Sequence, residues 1–315
     1  MHPMAICSVR RDSVAALTAT ELPIVANSGA DAGSAEAHVP RVTIGMPVYN
    51  GAAFLCNALK TLLSQTESDF ELVVSDNGSS DGSTEILLEA AAADKRVRYF
   101  RHEKSLRAYD NFHYVLSKAR APYFMWAACD DNWDPDFIEK LANSLDAAPE
   151  SVMAFGDVNI VTPTDNVGAV VPFDFETTGL TVTQRLAKMA PLQCFYFYGL
   201  WRTWAIRKAP YSYCAWWPDL PLMLAASMLG SFLHVPKVKF YYYEVPKSNL
   251  RRVKEQDYVD RFNLLMAIGG LIAAVYRACA TLGGPAMGLY AAALVTWKQI
   301  TTIPGYLRRR MPGRV

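Results

Sequence analysis

Three apolar runs of strand length, each stopped by a polar turn and followed by a helical pattern, constrain this chain more than any other feature. Arg41-Val-Thr-Ile-Gly-Met-Pro47-Val-Tyr49-Asn50 enters a proline-containing turn, after which Leu55, Leu59, Leu62 and Leu63 fall at helical spacing. Phe70-Glu-Leu-Val-Val-Ser75 ends in Asp76-Asn77-Gly78-Ser79-Ser80-Asp81-Gly82-Ser83, dense in turn formers and N-cap residues, and Ile86, Leu87 and Leu88 follow. Tyr123-Phe-Met-Trp-Ala-Ala128 is the third run and stops at Cys129-Asp130-Asp131-Asn132-Trp133-Asp134-Pro135. Asp134 is expected to be the N-cap of the next helix, with Pro135 at its first position. Strands that alternate with helices build a mainly parallel sheet covered by helices.

Open sheets of this kind bind ligands beyond the carboxyl ends of their strands, where Asp130 and Asp131 fall. Adjacent carboxylates repel, and a hard divalent cation such as Mg²⁺ or Mn²⁺ relieves the repulsion. The same residues also read as a solvated loop with a helix cap. Asp76 likewise reads either as a binding carboxylate or as the opening of the Asn77-Gly78 turn.

In this order and spacing, the segments PVYN (47–50), SDNGSSDGS (75–83) and an apolar strand running into an Asp pair before a Trp-x-Pro helix resemble a family 2 glycosyltransferase of the GT-A fold. The likeness is close over residues 41–145 and looser to about 248. It implies an α/β architecture: a mixed, mainly parallel sheet flanked by helices, with a C-terminal helical appendage. The expected organisation is a leader (1–40), a catalytic domain (41–250) and a helical tail (251–315). The domain would divide into a nucleotide-binding half (41–145) and an acceptor half (146–250).

The resemblance further implies an inverting transfer from a nucleotide-diphospho-sugar, of UDP or dTDP type, to a saccharide or lipid-linked acceptor, with a divalent metal. It places Pro47, Tyr49, Asn50, Asp76 and Asn77 around the nucleotide, with the Asp76 carboxylate accepting from the base. Arg107 is a candidate diphosphate contact, or else a solvated surface residue. Asp130 is the expected metal ligand, with Asp131 behind it or on the sugar. The pattern departs from the family at Ala128, where a first acid often stands. Asp219, which starts an apolar helix, is the candidate general base, though Asp before a helix is also a routine N-cap. Tyr198, Trp201, Arg202 and Trp217 belong to an aromatic-rich stretch that reads either as an acceptor platform or as core. Glu244 and Val245 replace the Arg and His of many relatives, and Lys247 is a partial substitute. Those replacements and Ala128 favour the alternative of a nucleotide-sugar-binding protein with weakened catalysis.

Composition excludes other classes. A formal net charge of +1 gives no basic excess for nucleic acid. The six cysteines form no C-x-x-C pair, and the five histidines no H-E-x-x-H motif, so a zinc enzyme is not expected. The cysteines read as small apolar fillers in a reducing compartment. No G-x-G-x-x-G follows the first strand, which argues against a dinucleotide oxidoreductase. Residues 1–40 lack periodicity and a signal-peptide core and read as a disordered leader. From Arg251 onward ten basic residues face three acidic ones, and two apolar runs flank Gly283-Gly284-Pro285. Each run is short of the roughly 20 residues of a spanning helix. A helical hairpin over 262–310, peripheral to the cytoplasmic face of the membrane, is expected; a pair packed on the catalytic domain or a dimer interface is the alternative.

Overall fold

The computed structural model describes residues 38–162, 165–170, 175–190, 194–210, 219–243 and 264–310. The chain divides into two compact units, the first ending at Pro135 and the second beginning at Asp136.

In the first unit the elements run β1 (Val42–Val48), α1 (Ala52–Leu63), β2 (Phe70–Asp76), α2 (Ser83–Ala93), β3 (Val97–Arg101), α3 (Ala108–Ser117), β4 (Tyr123–Trp126) and β5 (Asn132–Trp133). Every residue of β1, β2 and β4 is buried, as strands covered on both faces require. β1 pairs in parallel with β2 on one side and β4 on the other, and β2 pairs in parallel with β3. The chain therefore winds outward from β1 through β2 to β3, then returns to the opposite side of β1. That reversal makes the carboxyl ends of β1 and β4 a topological switch point, the place at which such sheets take ligands.

Near the amino ends of β1 and β2, buried Glu71 accepts hydrogen bonds from Thr43 Oγ1 at 2.7 Å, Arg98 at 2.8 Å and Arg120 at 2.6 Å. Burial pushes its carboxyl pKa up, but these bonds and the Arg98 charge outweigh that and leave it lowered. The opposite ends of the strands carry the polar loops that follow β1, β2 and β4.

The helix after the Asp pair, α4 (Phe137–Ala147), starts later than expected: Asp136, not Asp134, is its N-cap. Asp134 and Pro135 instead present backbone carbonyls to Gln65 Nε2 at 2.8 Å and to Thr66 N at 2.8 Å. The turn is thus tied to the end of α1 before the helix begins.

The second unit continues from α4 with β6 (Ser151–Thr162), β7 (Asp165–Val170), α5 (Val182–Met189), a 3₁₀ turn (Cys194–Tyr198), β8 (Leu200–Arg202) and α6 (Thr203–Lys208). It ends with α7 (Asp219–Leu229), β9 (Ser231–Tyr243) and a helical segment α8 (Leu264–Arg310). β6 pairs in parallel with β9 and antiparallel with β7 and β8. The β6–β9 register jumps from Phe155↔His234 to Asp157↔Lys239, so residues 235–238 bulge opposite Gly156. Asp157 closes the bulge: it pairs with His234 Nε2 at 2.8 Å and accepts from Lys237 N at 2.9 Å.

Gly284 breaks α8 with φ 80° and ψ 173°. A Cβ on Gly288 would lie 2.8 Å from Tyr276 O and 2.7 Å from Ala280 Cβ. Twelve residues of continuous helix would separate Gly288 from Tyr276 by about 18 Å. The two arms therefore fold back on each other as a hairpin, and α8 packs against α7. Leu271, Ala274, Val275 and Cys279 in the first arm and Ala291 and Val295 in the second are fully buried. Cys129 and Cys279 are buried free thiols, whereas Cys56 is disulfide-bonded, against its reading as a simple filler.

At Gly156 an added Cβ would sit 2.4 Å from Val238 O, a backbone atom that cannot swing aside. Gly156→Ala should therefore lower unfolding stability by about 1–3 kcal/mol, read by urea titration. An unchanged midpoint would show that the bulge relaxes freely.

Candidate functional site

The loops after β1, β2 and β4 form the carboxyl edge of the first unit's sheet, and hydrogen bonds lock the first two together. Asn77 N–H donates to Val48 O at 2.8 Å, joining the ends of β2 and β1. Asn50 N–H donates to Ser79 Oγ at 3.0 Å, Gly51 N–H to Ser83 Oγ at 2.9 Å and Ala52 N–H to Asp81 Oδ2 at 3.0 Å. In return, Ser80 N–H donates to Asn50 Oδ1 at 2.9 Å. Asn50 adopts φ 49°, a left-handed geometry that asparagine tolerates better than most residues. On the other side Gly51 lies against the Asp-pair turn: a Cβ there would meet Cys129 Sγ at 2.6 Å. Cys129 is the buried spacer that sets the turn's distance from the β1 loop.

Asp76 is fully buried at the end of β2. Its Oδ1 accepts from Ser79 N at 2.8 Å, and its Oδ2 accepts from Arg101 Nη1 at 2.6 Å, Thr84 Oγ1 at 2.7 Å and Tyr99 OH at 3.1 Å. Burial raises its pKa, but the hydrogen bonds from Ser79 and Thr84 and the Arg101 charge prevail, so the carboxyl lies below its ordinary range. The structure gives these oxygens to protein donors, where the sequence reading gave them to a base. Arg101 also donates to Thr84 Oγ1 and, at 3.2 Å, to Ser79 O, while 42% of its side chain stays exposed. It is the charged group that this network presents at the surface, and sequence reasoning missed it. The signal was weak: one arginine ending a short, half-charged strand.

Asn77 is buried too, and its amide forms two bonds with the Leu106 backbone, at 2.9 and 2.7 Å. It is a clamp that fixes the approach to α3, rather than a ligand contact. Arg107 sits at the N-cap of α3 and forks onto Asp110 at 2.6 and 2.9 Å, still largely exposed. Pro47 is buried within β1, and Tyr49 and Asn50 are half-buried at its end.

Within the Asp-pair turn, Asp131 is 1% exposed and Asp130 half-buried. Among the described residues no three His, Cys, Asp or Glu side chains gather into a metal cluster. The donor set is a hard carboxylate oxygen on Asp130, which suits Mg²⁺ or Mn²⁺ only where a ligand's own oxygens complete the shell.

A family model for glycosyl transferase family 2 matches residues 43–195, a span that holds all of these loops. This region is a family 2 glycosyl transferase domain. An uncharacterized glycosyltransferase of Rickettsia felis is 35% identical over 109 residues, covering 34% of this chain and 18% of that protein. Glycosyltransferase GlyA of Streptococcus pneumoniae is 32% identical over 106 residues, covering 33% of this chain and 15% of that protein. The chain thus spans less than a fifth of the length of either relative. Among solved structures, S. aureus TarS 1-349 in complex with UDP-GlcNAc superposes with TM-score 0.64 over 86% of this chain and 76% of that one, at 14% identity. TarS 1-349 with UDP gives 0.54. The glycosyltransferase domain therefore has the GT-A fold, a mixed, mostly parallel sheet flanked by helices, with the C-terminal helical segment present.

Two residues expected at the acceptor are used otherwise. Trp201 is fully buried, donates its indole N–H to Phe197 O at 3.0 Å and packs edge-on against Phe232. Arg202 donates to Ser151 O at 2.8 Å, Leu145 O at 2.6 Å and Ala148 O at 3.3 Å, tying the carboxyl end of α4 to β6. Both are structural because their polar atoms answer buried backbone groups. Tyr198 is half-buried beside Phe240, their rings 5.5 Å apart, at an apolar cleft that Phe137, Phe155 and Tyr196 also line. Asp219 is the first residue of α7 and half-buried. Trp217, Glu244, Val245 and Lys247 lie outside the described residues.

Because the Asp76 pKa is lower in the folded protein than in the unfolded chain, its contribution is complete above the ordinary carboxylate value near ~4 and drains away as pH falls through the folded value. Asp76→Asn should cost about 1–3 kcal/mol at neutral pH and flatten the acid branch of the stability curve. Equal acid sensitivity in the variant and the parent would remove Asp76 as the source.

Proposed function

We propose that this protein is an inverting glycosyltransferase that moves a sugar from a nucleotide-diphospho-sugar, of UDP or dTDP type, to an acceptor hydroxyl. Surface polysaccharide or glycolipid synthesis is the setting that fits. The observation that carries the reading is the junction of the β1, β2 and β4 loops at the switch point of a family 2 domain, with Asp130 at the surface of that junction.

In this reading Tyr49 and the β1 loop receive the base and ribose. Asp76 acts at one remove: it holds the Arg101 guanidinium, whose planar fork suits carbonyl or phosphate oxygens. Asn77 fixes the chain ahead of Arg107, which exchanges Asp110 for the diphosphate. Asp130 would hold a divalent cation, with buried Asp131 behind it. When bound, such an ion neutralises the charge that develops on the leaving diphosphate. Asp219 accepts the proton of the acceptor hydroxyl as that oxygen attacks the anomeric carbon. Attack opposite the departing diphosphate gives the inversion. Tyr198 and Trp217 are the remaining candidates for stacking on the acceptor. A lipid-linked acceptor would suit peripheral attachment of 262–310 to the inner face of the cell membrane.

Ala128, standing where relatives often carry an acid, favours a second reading in which the site binds a sugar nucleotide but turns it over weakly. A panel of sugar nucleotides with Mn²⁺ separates the two, since a pure binder is stabilised thermally by its donor yet releases no nucleoside diphosphate.

Asp130→Ala should abolish metal-supported donor hydrolysis while leaving the melting temperature within a few degrees. Asp219→Asn should lower the transfer rate about 10²–10⁴-fold with little change in donor KM. Full turnover of the Asp130 variant in EDTA would sink the metal assignment, and undiminished transfer by the Asp219 variant would sink the base.

A further inference from the structure

The second arm of the α8 hairpin is two-faced. Ala291, Ala292 and Val295 are buried along one side, while Leu289, Tyr290, Ala293 and Trp297 line the opposite side. The latter sit at i, i+1, i+4 and i+8, a single stripe on a helix. Leu289 is 63% exposed and Trp297 66%; Tyr290 is 38% exposed and borders the protein, its hydroxyl donating to Thr183 O at 3.5 Å. Exposed large apolar side chains in a row mark a contact surface more often than they occur by chance. The first arm differs: its exposed positions include Arg277 and Thr281, while Ile268, Leu271, Ala274, Val275, Ala278 and Cys279 are buried.

Charge identifies the occupant. From residue 261 to 315 the sequence contains no Asp or Glu and seven Arg or Lys, three of them consecutive at Arg308–Arg310. An apolar stripe set in an acid-free, basic segment complements an anionic lipid surface, and Trp and Tyr are the residues that settle at headgroup depth.

We propose that residues 285–298 lie in the plane of an anionic bilayer through Leu289, Tyr290, Ala293 and Trp297, while the first arm stays on the protein. This deepens the membrane contact suggested above and rests on that reading. Ile268–Lys298 is apolar enough and, counted as one helix, long enough to cross a membrane. Gly284 divides it, however, and the fully buried residues of both arms face protein. One-sided amphipathicity belongs to a helix that lies on a membrane, whereas a spanning helix needs apolar residues around its whole girth.

The test uses the full chain with vesicles of phosphatidylcholine, with and without phosphatidylglycerol. Co-sedimentation should be about tenfold stronger on the anionic vesicles and should weaken as salt rises from about 0.1 to about 0.5 M. Leu289→Glu with Trp297→Glu should abolish it. A melting curve checks that this variant folds. Should it not, a dye on Leu289→Cys reads the same contact, with a blue shift on anionic vesicles expected. Equal binding to neutral vesicles, unchanged binding of the double variant, or no dye shift would overturn the proposal. So would resistance to alkaline carbonate extraction, which signals spanning, or a wild-type dimer that the double variant splits, which signals a second copy on this face. Donor hydrolysis by the same preparations is scored apart. Hydrolysis without vesicle binding defeats only this inference, and vesicle binding without hydrolysis defeats only the transferase reading.

Discussion

Parallel pairing of β1 with both β2 and β4 is the constraint on which the rest of the first unit depends. Parallel neighbours share a direction, so their carboxyl ends, with the three loops that follow, arrive together at one edge. Loops brought together in this way carry backbone N–H groups that must find partners as water leaves. Asn50, Ser79, Asp81 and Ser83 supply those partners. The polar density of the SDNGSSDGS segment is therefore first a requirement of the fold. In the proposed function, binding is added to a junction that these hydrogen bonds have already tied together.

Asp76 shows how such a junction handles a buried charge. A carboxylate with no exposure faces a large desolvation penalty. Four donors around two oxygens offset it, and one of them, Arg101, keeps part of its guanidinium in solvent. The buried carboxylate thus fixes the position of a partly exposed guanidinium, in a pair with no net charge. The nucleotide proposed as ligand is itself anionic, so in that proposal a cation held by a buried acid is a better presentation than the bare acid would be. The acid is readable from the sequence because it ends a buried apolar strand, whereas the cation arrives from the end of the neighbouring strand β3.

Legibility in the sequence followed the range of the interaction. β1, β2 and β4 could be read because strands buried on both faces show as unbroken apolar runs. β3 could not, since an edge strand carrying Arg98 and Arg101 breaks its own pattern. The start of α4 was displaced by two residues because Asp134 and Asp136 are equally good caps, and the choice was made by Gln65, which is 69 residues away. The same limit governs the acceptor residues. Trp201 and Arg202 look like binding groups from their composition. The carbonyls that Arg202 satisfies, on Ser151 and Leu145, stand 51 and 57 residues before it. No local window contains that information.

The hairpin extends this reasoning from packing to partnership. Gly284 supplies the left-handed turn that Gly283-Gly284-Pro285 announces, and Gly288 lets the arms approach until Tyr276 and Ala280 touch it. Once the arms pack, the inner faces are fixed by contact with α7 and with each other. The outer face of the second arm is then what the sequence leaves over, and it is apolar where a solvated helix would be charged. Hydropathy alone treats both arms alike, because it averages around the helix. Only the packed structure separates the residues that stabilise the hairpin from those it presents, and that separation argues for lying on a membrane and against crossing it.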